Sequence, residues 1–361
     1  MMNFLTKIDR YILGKFLTTF FFFVLMMAVI ICVIDYSQKI DDFVTKQAPV
    51  GELFIYFLVS APSFITILFP LFAFLPTIFF TSKMANKTEI IAILATGTSF
   101  RRFLRAYIVG GVMLACLSLV TNHYLIPKSN IVMNDFLRKY FFDKKIGTDG
   151  NVHLKTGEHT YIYVENFTFA TQTGTQFTIE TIEGITLKEK LIADRIVYTD
   201  STKEWTLKNV VIIKNEGIKE TLTRIPEIKK KYNFTPEDLS VDRNVKMEMT
   251  SAQLLGYINR EKERGTENVS DFEIELYKRT AQPVAGFILV IIAACIASRK
   301  VRGGSGSHLA LGIIISALYI LMMQLTSTFA INSGLHPIIA VWIPNIIFAV
   351  LAYVLYRRKM T

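Results

Sequence analysis

The residues able to do chemistry in this chain point to binding rather than catalysis. His153 and His159 fall on or between segments where apolar and polar residues alternate. Neither has a paired nucleophile or a metal-ligand spacing, so a surface or structural role accounts for them. Cys32, Cys116 and Cys295 all lie within apolar runs, which gives no disulfide framework and no metal motif and fits small buried side chains. The segment "RGGSGSH" (Arg302 to His308) is glycine-rich. It lacks the lysine of a phosphate-binding loop and follows an apolar run rather than a strand, so a flexible cytoplasmic turn is expected. No catalytic residue, metal ligand or cofactor site is therefore assigned. What remains is "SKMANKTEIIAILATGTSFRRFLR" (Ser82 to Arg105), a short charged helix between two long apolar stretches.

That helix is expected over about residues 83–97. Thr88 is read as its cap, and Glu89 sits in the first turn, where the helix dipole favours an acid. Ile90, Ile93, Leu94 and Gly97 follow the i, i+3, i+4, i+7 spacing of one stripe, and Gly97 suits a left-handed ending. About ten residues are too few for a stable helix in water, so the segment needs a surface to lie on. A membrane interface is one such surface. A groove on a cytoplasmic protein is the other, with Glu89 as the charge that a partner arginine would pair.

The elements around it are read from charge and hydropathy. The chain has 361 residues, 51% of them hydrophobic, and a formal net charge of +10. No charge occurs from Phe16 to Ile34, Leu53 to Ser82, Ala106 to Pro127, Thr280 to Ser298 or Gly303 to Tyr356. A helix of ~20 residues crosses a ~30 Å hydrocarbon core. The last run is long enough for two spans, broken at "AINSGLHPII", so six spans are predicted, three on each side of a polar insert. The second run carries Pro62, Pro70 and Pro76 and should be kinked. The first is too long for a signal-peptide core and lacks a small-x-small cleavage site.

Lys128 to Asp271 contains 22 basic and 22 acidic residues, so the whole net charge belongs to the membrane part. Fourteen of its 18 basic residues fall on one side, which the positive-inside rule makes the cytoplasm. Both termini are then cytoplasmic and the insert is external. The basic excess records topology, and no nucleic-acid partner is implied. The middles of the spans hold no ionisable residue, unlike a proton-coupled transporter, so any energy must arrive from another protein.

The insert alternates at period two in "TYIYVENFTFATQTGTQFTIETIEGITL", "ADRIVYT", "EWTLKNVVIIKN" and "KETLTRI". Turns are expected at Thr173-Gly174, Glu183-Gly184 and Glu216-Gly217. This predicts an all-β sandwich or jellyroll, whose open edge can accept a strand from another chain. A charged helix follows from about Ser251 to Arg264, stopped by Gly265, and then a second helix runs into the fourth span. The organisation is thus residues 1–127 with three spans, 128–272 with the β domain and its flanking helices, and 273–361 with three more spans.

This arrangement resembles the LptF/LptG family of lipopolysaccharide-export permeases. The resemblance is carried by "IDRYILGKFL" (Ile8 to Leu17), "TEIIAILATGTS" (Thr88 to Ser99), "NHYLIPKSN" (Asn122 to Asn130), "EIELYKRTAQPVAGFILVIIA" (Glu273 to Ala293) and "LHPIIAVWIPNIIF" (Leu335 to Phe348). It implies an α-helical membrane protein of six spans in the bacterial inner membrane, with a periplasmic jellyroll. The partners it implies are a cytoplasmic ABC ATPase dimer, a second permease of the same type, periplasmic jellyroll bridge proteins and lipopolysaccharide. By the same resemblance Glu89, with Ile90, Ile93, Leu94 and Gly97, couples to the ATPase, and Lys39 is the position that best matches the family's substrate-contacting cations. A deeper lysine of G-type members is replaced around Cys32 here, so the resemblance does not separate F-type from G-type. Arg138 and Lys139, just after the third span, are further candidates for lipid phosphates. The rivals are a permease of another ABC system exporting a different lipid or lipoprotein, a lipid-active membrane enzyme, and a sensory protein.

Overall fold

A backbone inside hydrocarbon has no water to bond, so each uncharged run must satisfy its amides internally, as a helix does. The structure, a computed structural model, describes residues 6–141, 152–157, 159–168, 171–184, 186–200, 202–216, 219–232, 234–239, 245–264, 269–301 and 304–360. Four helices come first: α1 (Lys7–Thr45), α2 (Val50–Ile67), α3 (Phe69–Asn86) and the short α4 (Glu89–Ala95). Next is one continuous stretch, Phe100–Tyr140, made of α5 (Phe100–Val120), a π-helical turn (Thr121–Leu125) and α6 (Ile126–Tyr140). Six strands follow: β1 (Val152–Lys155), β2 (Thr160–Thr168), β3 (Thr173–Glu183), β4 (Thr186–Thr199), β5 (Glu204–Glu216) and β6 (Lys219–Lys230). The chain closes with α7 (Val245–Glu248), α8 (Ser251–Arg264), α9 (Val269–Ala297), α10 (Gly304–Asn332) and α11 (Pro337–Met360). Among the described residues six helical segments are long and apolar enough to cross a membrane: α1, α2, Phe100–Tyr140, α9, α10 and α11.

The chain divides into two compact units. A helical unit comprises Met1–Asn134, Met247–Leu254 and Ser270–Thr361, and a second unit comprises Asp135–Lys246 and Leu255–Val269. In the helical unit the second apolar run is two helices rather than one kinked span. The backbone breaks at Leu68, because Pro70 near the start of α3 has no N–H with which to continue the ladder of α2. Pro62 and Pro76 are accommodated inside helices. Breaking the run lets α3 turn inward, where Phe72, Ala73, Phe74, Ile78 and Met84 are almost fully buried. α3 joins both apolar cores of the unit: one with α1, α4, α5 and α9, the other with α9, α10 and α11. Close approach relies on small residues: a Cβ at Gly312 of α10 would lie 2.7 Å from Ile78 of α3. α1, by contrast, exposes Phe22, Leu25, Val29 and Val33, an apolar face suited to lipid.

Of two glycine expectations one changes and one holds. Gly304 onward is the first turn of α10 rather than a flexible turn, while Arg302 and Gly303 lie outside the described residues. Gly334 has φ +71 in the break between α10 and α11, as "AINSGLHPII" predicted.

The second unit holds a single antiparallel sheet in the sequential order β1-β2-β3-β4-β5-β6, a meander that curls around an aromatic core. Trp205 is fully buried, its indole N–H donates to the Phe234 carbonyl at 3.0 Å, and its ring stacks on Phe234 at 4.7 Å. The Glu183-Gly184 turn forms, with Gly184 at φ +63. Thr173-Gly174 is no turn. It opens β3, and Gly174 is there because a Cβ would come within 2.8 Å of Ile196 and 3.1 Å of Phe167. Gly217 and Gly265 lie outside the described residues, though α8 spans the predicted Ser251–Arg264.

A crease crosses this sheet. Inward residues alternate along each strand, then step by three at one level: Val164 to Phe167, Gly174 to Phe177, Ala193 to Ile196, and Leu207 to Val210, with Ile225 and Ile228 doing the same on β6. Glu165, Gln176, Asp194, Asn209 and Pro226 sit in the gap, each omitted from the paired register. Gln176 (φ 53) and Asn209 (φ 56) take left-handed conformations there, and Asn209 donates to the Asp194 carboxylate at 3.0 Å. An outward step in β2 to β6 at once preserves register while bending these five strands along one line. On one side of the crease the inner row Ile179, Leu191 and Ile212 is only half-buried, leaving an apolar trough partly open.

Candidate functional sites

α4 is held between two tight turns. Lys87 ends α3, Thr88 takes φ 60, and α4 runs only from Glu89 to Ala95 before Gly97 turns the chain at φ +82. Residues 83–86, expected in this helix, belong to α3. Thr88 does not cap by its side chain, since its hydroxyl donates to the Lys87 carbonyl. Ser99 instead caps α5, accepting from the Arg102 N–H at 3.4 Å. The predicted stripe faces inward: Ile90 is 1% exposed, and Ile93 and Leu94 pack against the same core as Phe103 and Met84. The outward face therefore consists of Ile91, Ala92, Ala95 and Thr96, with Ile91 55% exposed. Glu89 stands half-buried at the start of the helix and accepts from the Tyr11 hydroxyl at 3.3 Å.

Lys39, near the end of α1, does not present an unopposed charge. It pairs with Asp35 at 2.6 Å and donates to the Tyr56 hydroxyl, which itself donates to Asp35 at 2.8 Å. This triad ties α1 to α2 beside a ring cluster of Tyr36, Phe43 and Phe57. Cys32, one turn earlier, faces the Phe57 carbonyl. In the second unit Arg138 pairs with Asp135 at 3.3 Å across two largely exposed side chains, an arrangement worth little to stability. Lys139 lies over the Tyr140 ring at 4.9 Å.

Sequence reasoning missed a buried polar clasp in the helical unit. Pro127 supplies no N–H, so the helix widens ahead of it into the π-turn Thr121–Leu125. Asn122 there accepts from Thr66 of α2 and donates to the Arg279 carbonyl of α9, both at 3.4 Å. Two turns on, Asn130 accepts from Ser63 of α2 at 2.6 Å and donates to the Met247 carbonyl at 2.9 Å. Asn134 donates to Glu248 at 2.7 Å. The Arg279 guanidinium donates to the Met249 carbonyl at 2.8 Å, to Ser251 at 3.2 Å and to Glu275 at 3.3 Å, while His123 meets Ser251 at 2.7 Å. Thus the 247–251 segment, through which the chain returns toward α9, is clasped by side chains of the Phe100–Tyr140 stretch and of α9. The available signal was "NHYLIPKSN": three polar side chains next to a proline at the end of an apolar run.

These geometries are packing contacts, ion pairs and hydrogen bonds that tie the helices to one another. Among the described residues no group of three His, Cys, Asp or Glu side chains could hold a metal ion. Comparison with known proteins agrees with a transport reading. The family described as lipopolysaccharide export system permease LptF/LptG matches residues 10–358. The chain is similar to the lipopolysaccharide export system permease protein LptG of Haemophilus influenzae, with 22% identity over 360 residues covering 98% of each protein. The protein of the same name from Escherichia coli K12 is 20% identical over 360 residues, again covering 98% of each.

Proposed function

Because the chain belongs to the LptF/LptG family of lipopolysaccharide export system permeases, we propose that it is the membrane half of an ATP-driven extractor. In this reading it sits in the inner membrane with both termini and α4 in the cytoplasm and the β domain in the periplasm. A pair of ABC ATPase subunits drives it, a second permease of the same type completes the cavity, and jellyroll proteins receive the lipid beyond the membrane.

The observation that carries this reading is α4. A seven-residue helix whose inner face is welded to the helical core, and whose outer face offers Ile91 and Ala92 beside Glu89, transmits motion as a rigid part of that core. Because Ile90 is buried and Ile93 and Leu94 pack half-buried against the core, we assign those three to fixing α4 on its own chain. Contact with the ATPase then falls to Glu89 and the outward residues, with Gly97 shaping the turn behind them. The spans carry no ion relay of their own, and extracting several acyl chains at ~0.8 kcal/mol per CH₂ requires work delivered in steps.

We assign the half-open row Ile179, Leu191 and Ile212 to sheltering acyl chains in the periplasm, and the β6 edge to pairing with the next jellyroll. Lys39, Arg138 and Lys139 are the cations assigned to lipid phosphates. Lys39 meets one only by exchanging its bonds to Asp35 and Tyr56, so its contribution is the smaller. Purifying the tagged chain from its native membrane in mild detergent tests the assembly. A P-loop ATPase and a second six-span permease should accompany it, and recovery of the chain alone in several detergents would contradict the reading.

A further inference from the structure

Beside α4 lies a cavity of about 200 Å3 between α1 and α3 whose charge is not balanced by the described residues. Three lysines line it: Lys15 of α1, Lys83 of α3 and Lys87 in the turn that follows. Among the described residues no side chain forms an ion pair or hydrogen bond with any of the three ammonium groups. Glu89 is the one acid on the lining, and it accepts from Tyr11. The lining therefore carries a formal charge of +2. Lys83 and Lys87, four positions apart, repel one another unless an anion lies between them.

The floor is apolar. Phe80 and Met84 are 7% and 2% exposed, and the neighbouring Phe79 packs against Phe23 of α1 with ring centres 5.6 Å apart. Just beyond that contact α1 presents Phe22 and Leu25, which are 61% and 67% exposed. A ligand seated here meets cations at its head and an apolar helix face along its tail. The space is large enough to seat a phosphodiester.

We propose that this cavity binds the phosphodiester headgroup of an anionic phospholipid, with an acyl chain lying along the exposed face of α1. Lysine ammonium groups bind phosphate as point charges and suit a headgroup that turns within its site. The site stands on cavity, charge and floor alone, independent of any ATPase. Its consequence for the proposed function is that a resident lipid would set the electrostatic surroundings of Glu89 from the side opposite a partner protein.

The test uses the full chain in detergent, titrated with dioleoylphosphatidylglycerol, dioleoylphosphatidylcholine or inorganic phosphate, with thermal unfolding and lipid retained per chain as readouts. Phosphatidylglycerol should raise the unfolding midpoint by about 4 °C and be retained at about one molecule per chain. Phosphatidylcholine should do neither, and inorganic phosphate should reproduce only a small part of the shift. Lys15→Gln, Lys83→Gln and Lys87→Gln together should abolish the shift. Should that triple variant fold poorly, Lys87→Gln alone should weaken retention several-fold. Glu89→Gln should tighten it, a sign that general loss of structure would not give. Equal shifts from the two lipids, or lysine variants that retain the phosphatidylglycerol shift, would overturn the proposal. A full shift from inorganic phosphate would replace the lipid with a soluble anion. Lysine variants that kept the lipid but released a co-purified ATPase would reassign the cavity to a protein carboxylate.

Discussion

At one end of the helical unit Asn122, Asn130, Asn134 and Arg279 are 3%, 4%, 7% and 4% exposed, and each is tied to neighbouring helices or to the returning segment. At the other end, one length of α5 or about 30 Å away, Asn86, His308 and Lys359 are likewise bonded to Ser305, the Arg299 backbone and Ser298, but the groups beside α4 are Lys15, Lys83, Lys87 and Glu89. They are exposed or half-buried, and Glu89 makes a single long bond to Tyr11. A buried polar group must be paired within the chain or it costs several kcal/mol. The clasp end is therefore self-sufficient, while the groups beside α4 face outward, as the proposed function requires of a docking end. The contrast separates residues that hold the fold from residues that serve the function, and it can be broken at each end.

The largest effect should come from Arg279→Met. It leaves the Met249 carbonyl and the half-buried Glu275 without their buried guanidinium partner and should cost ~3 kcal/mol, seen as a large fall in the unfolding midpoint of the detergent-solubilised chain. A shift of a degree or two would show that the clasp does not stabilise the return segment. Asn130→Leu should cost less, about 1–3 kcal/mol, by leaving Ser63 and the Met247 carbonyl unpaired. Combined with Arg279→Met it should cost less than the two separately, because both hold the same segment; strict additivity would dissolve the clasp into independent contacts.

The β unit supplies the smallest effect. The Tyr232 hydroxyl is buried and has no hydrogen-bond partner among the described residues, and burial, then the nearby Glu189, pushes its pKa up to about 12. The folded state thus favours the protonated phenol, and stability contributed by Tyr232 should be intact below pH 10 and decline as the pH rises toward 12. Tyr232→Phe should leave neutral-pH stability within about 0.5 kcal/mol of the parent and remove that alkaline decline. A substantial loss at neutral pH would mean that the hydroxyl is satisfied after all.

Much of this architecture was legible because it rests on one-body properties. Hydrophobicity and charge place each span regardless of what it touches, and the Ser251–Arg264 helix and the Gly184 turn follow from local preferences. What stayed hidden depends on pairs. Gly174 reads as a turn glycine until Phe167 and Ile196 are seen closing over it. The stripe of Ile90, Ile93 and Leu94 was found, but a stripe does not say whether its own chain or a partner covers it. The crease in the sheet is one residue per strand, aligned only after the strands pair. Asn122 and Asn130 look like ordinary polar residues near a span end until α2 and α9 supply their partners.

The central claim of the proposed function is that Glu89 and the outward face of α4 serve a partner, while Ile90, Ile93 and Leu94 hold the helix on its own core. We would measure Glu89→Lys in the full chain for its unfolding midpoint, its recovery of the ATPase on purification, and its support of growth as the sole copy. Glu89 is half-buried and held by one 3.3 Å bond, so the midpoint should stay within a degree or two while ATPase recovery and growth are lost. A variant that folds, retains the ATPase and grows normally would contradict the account.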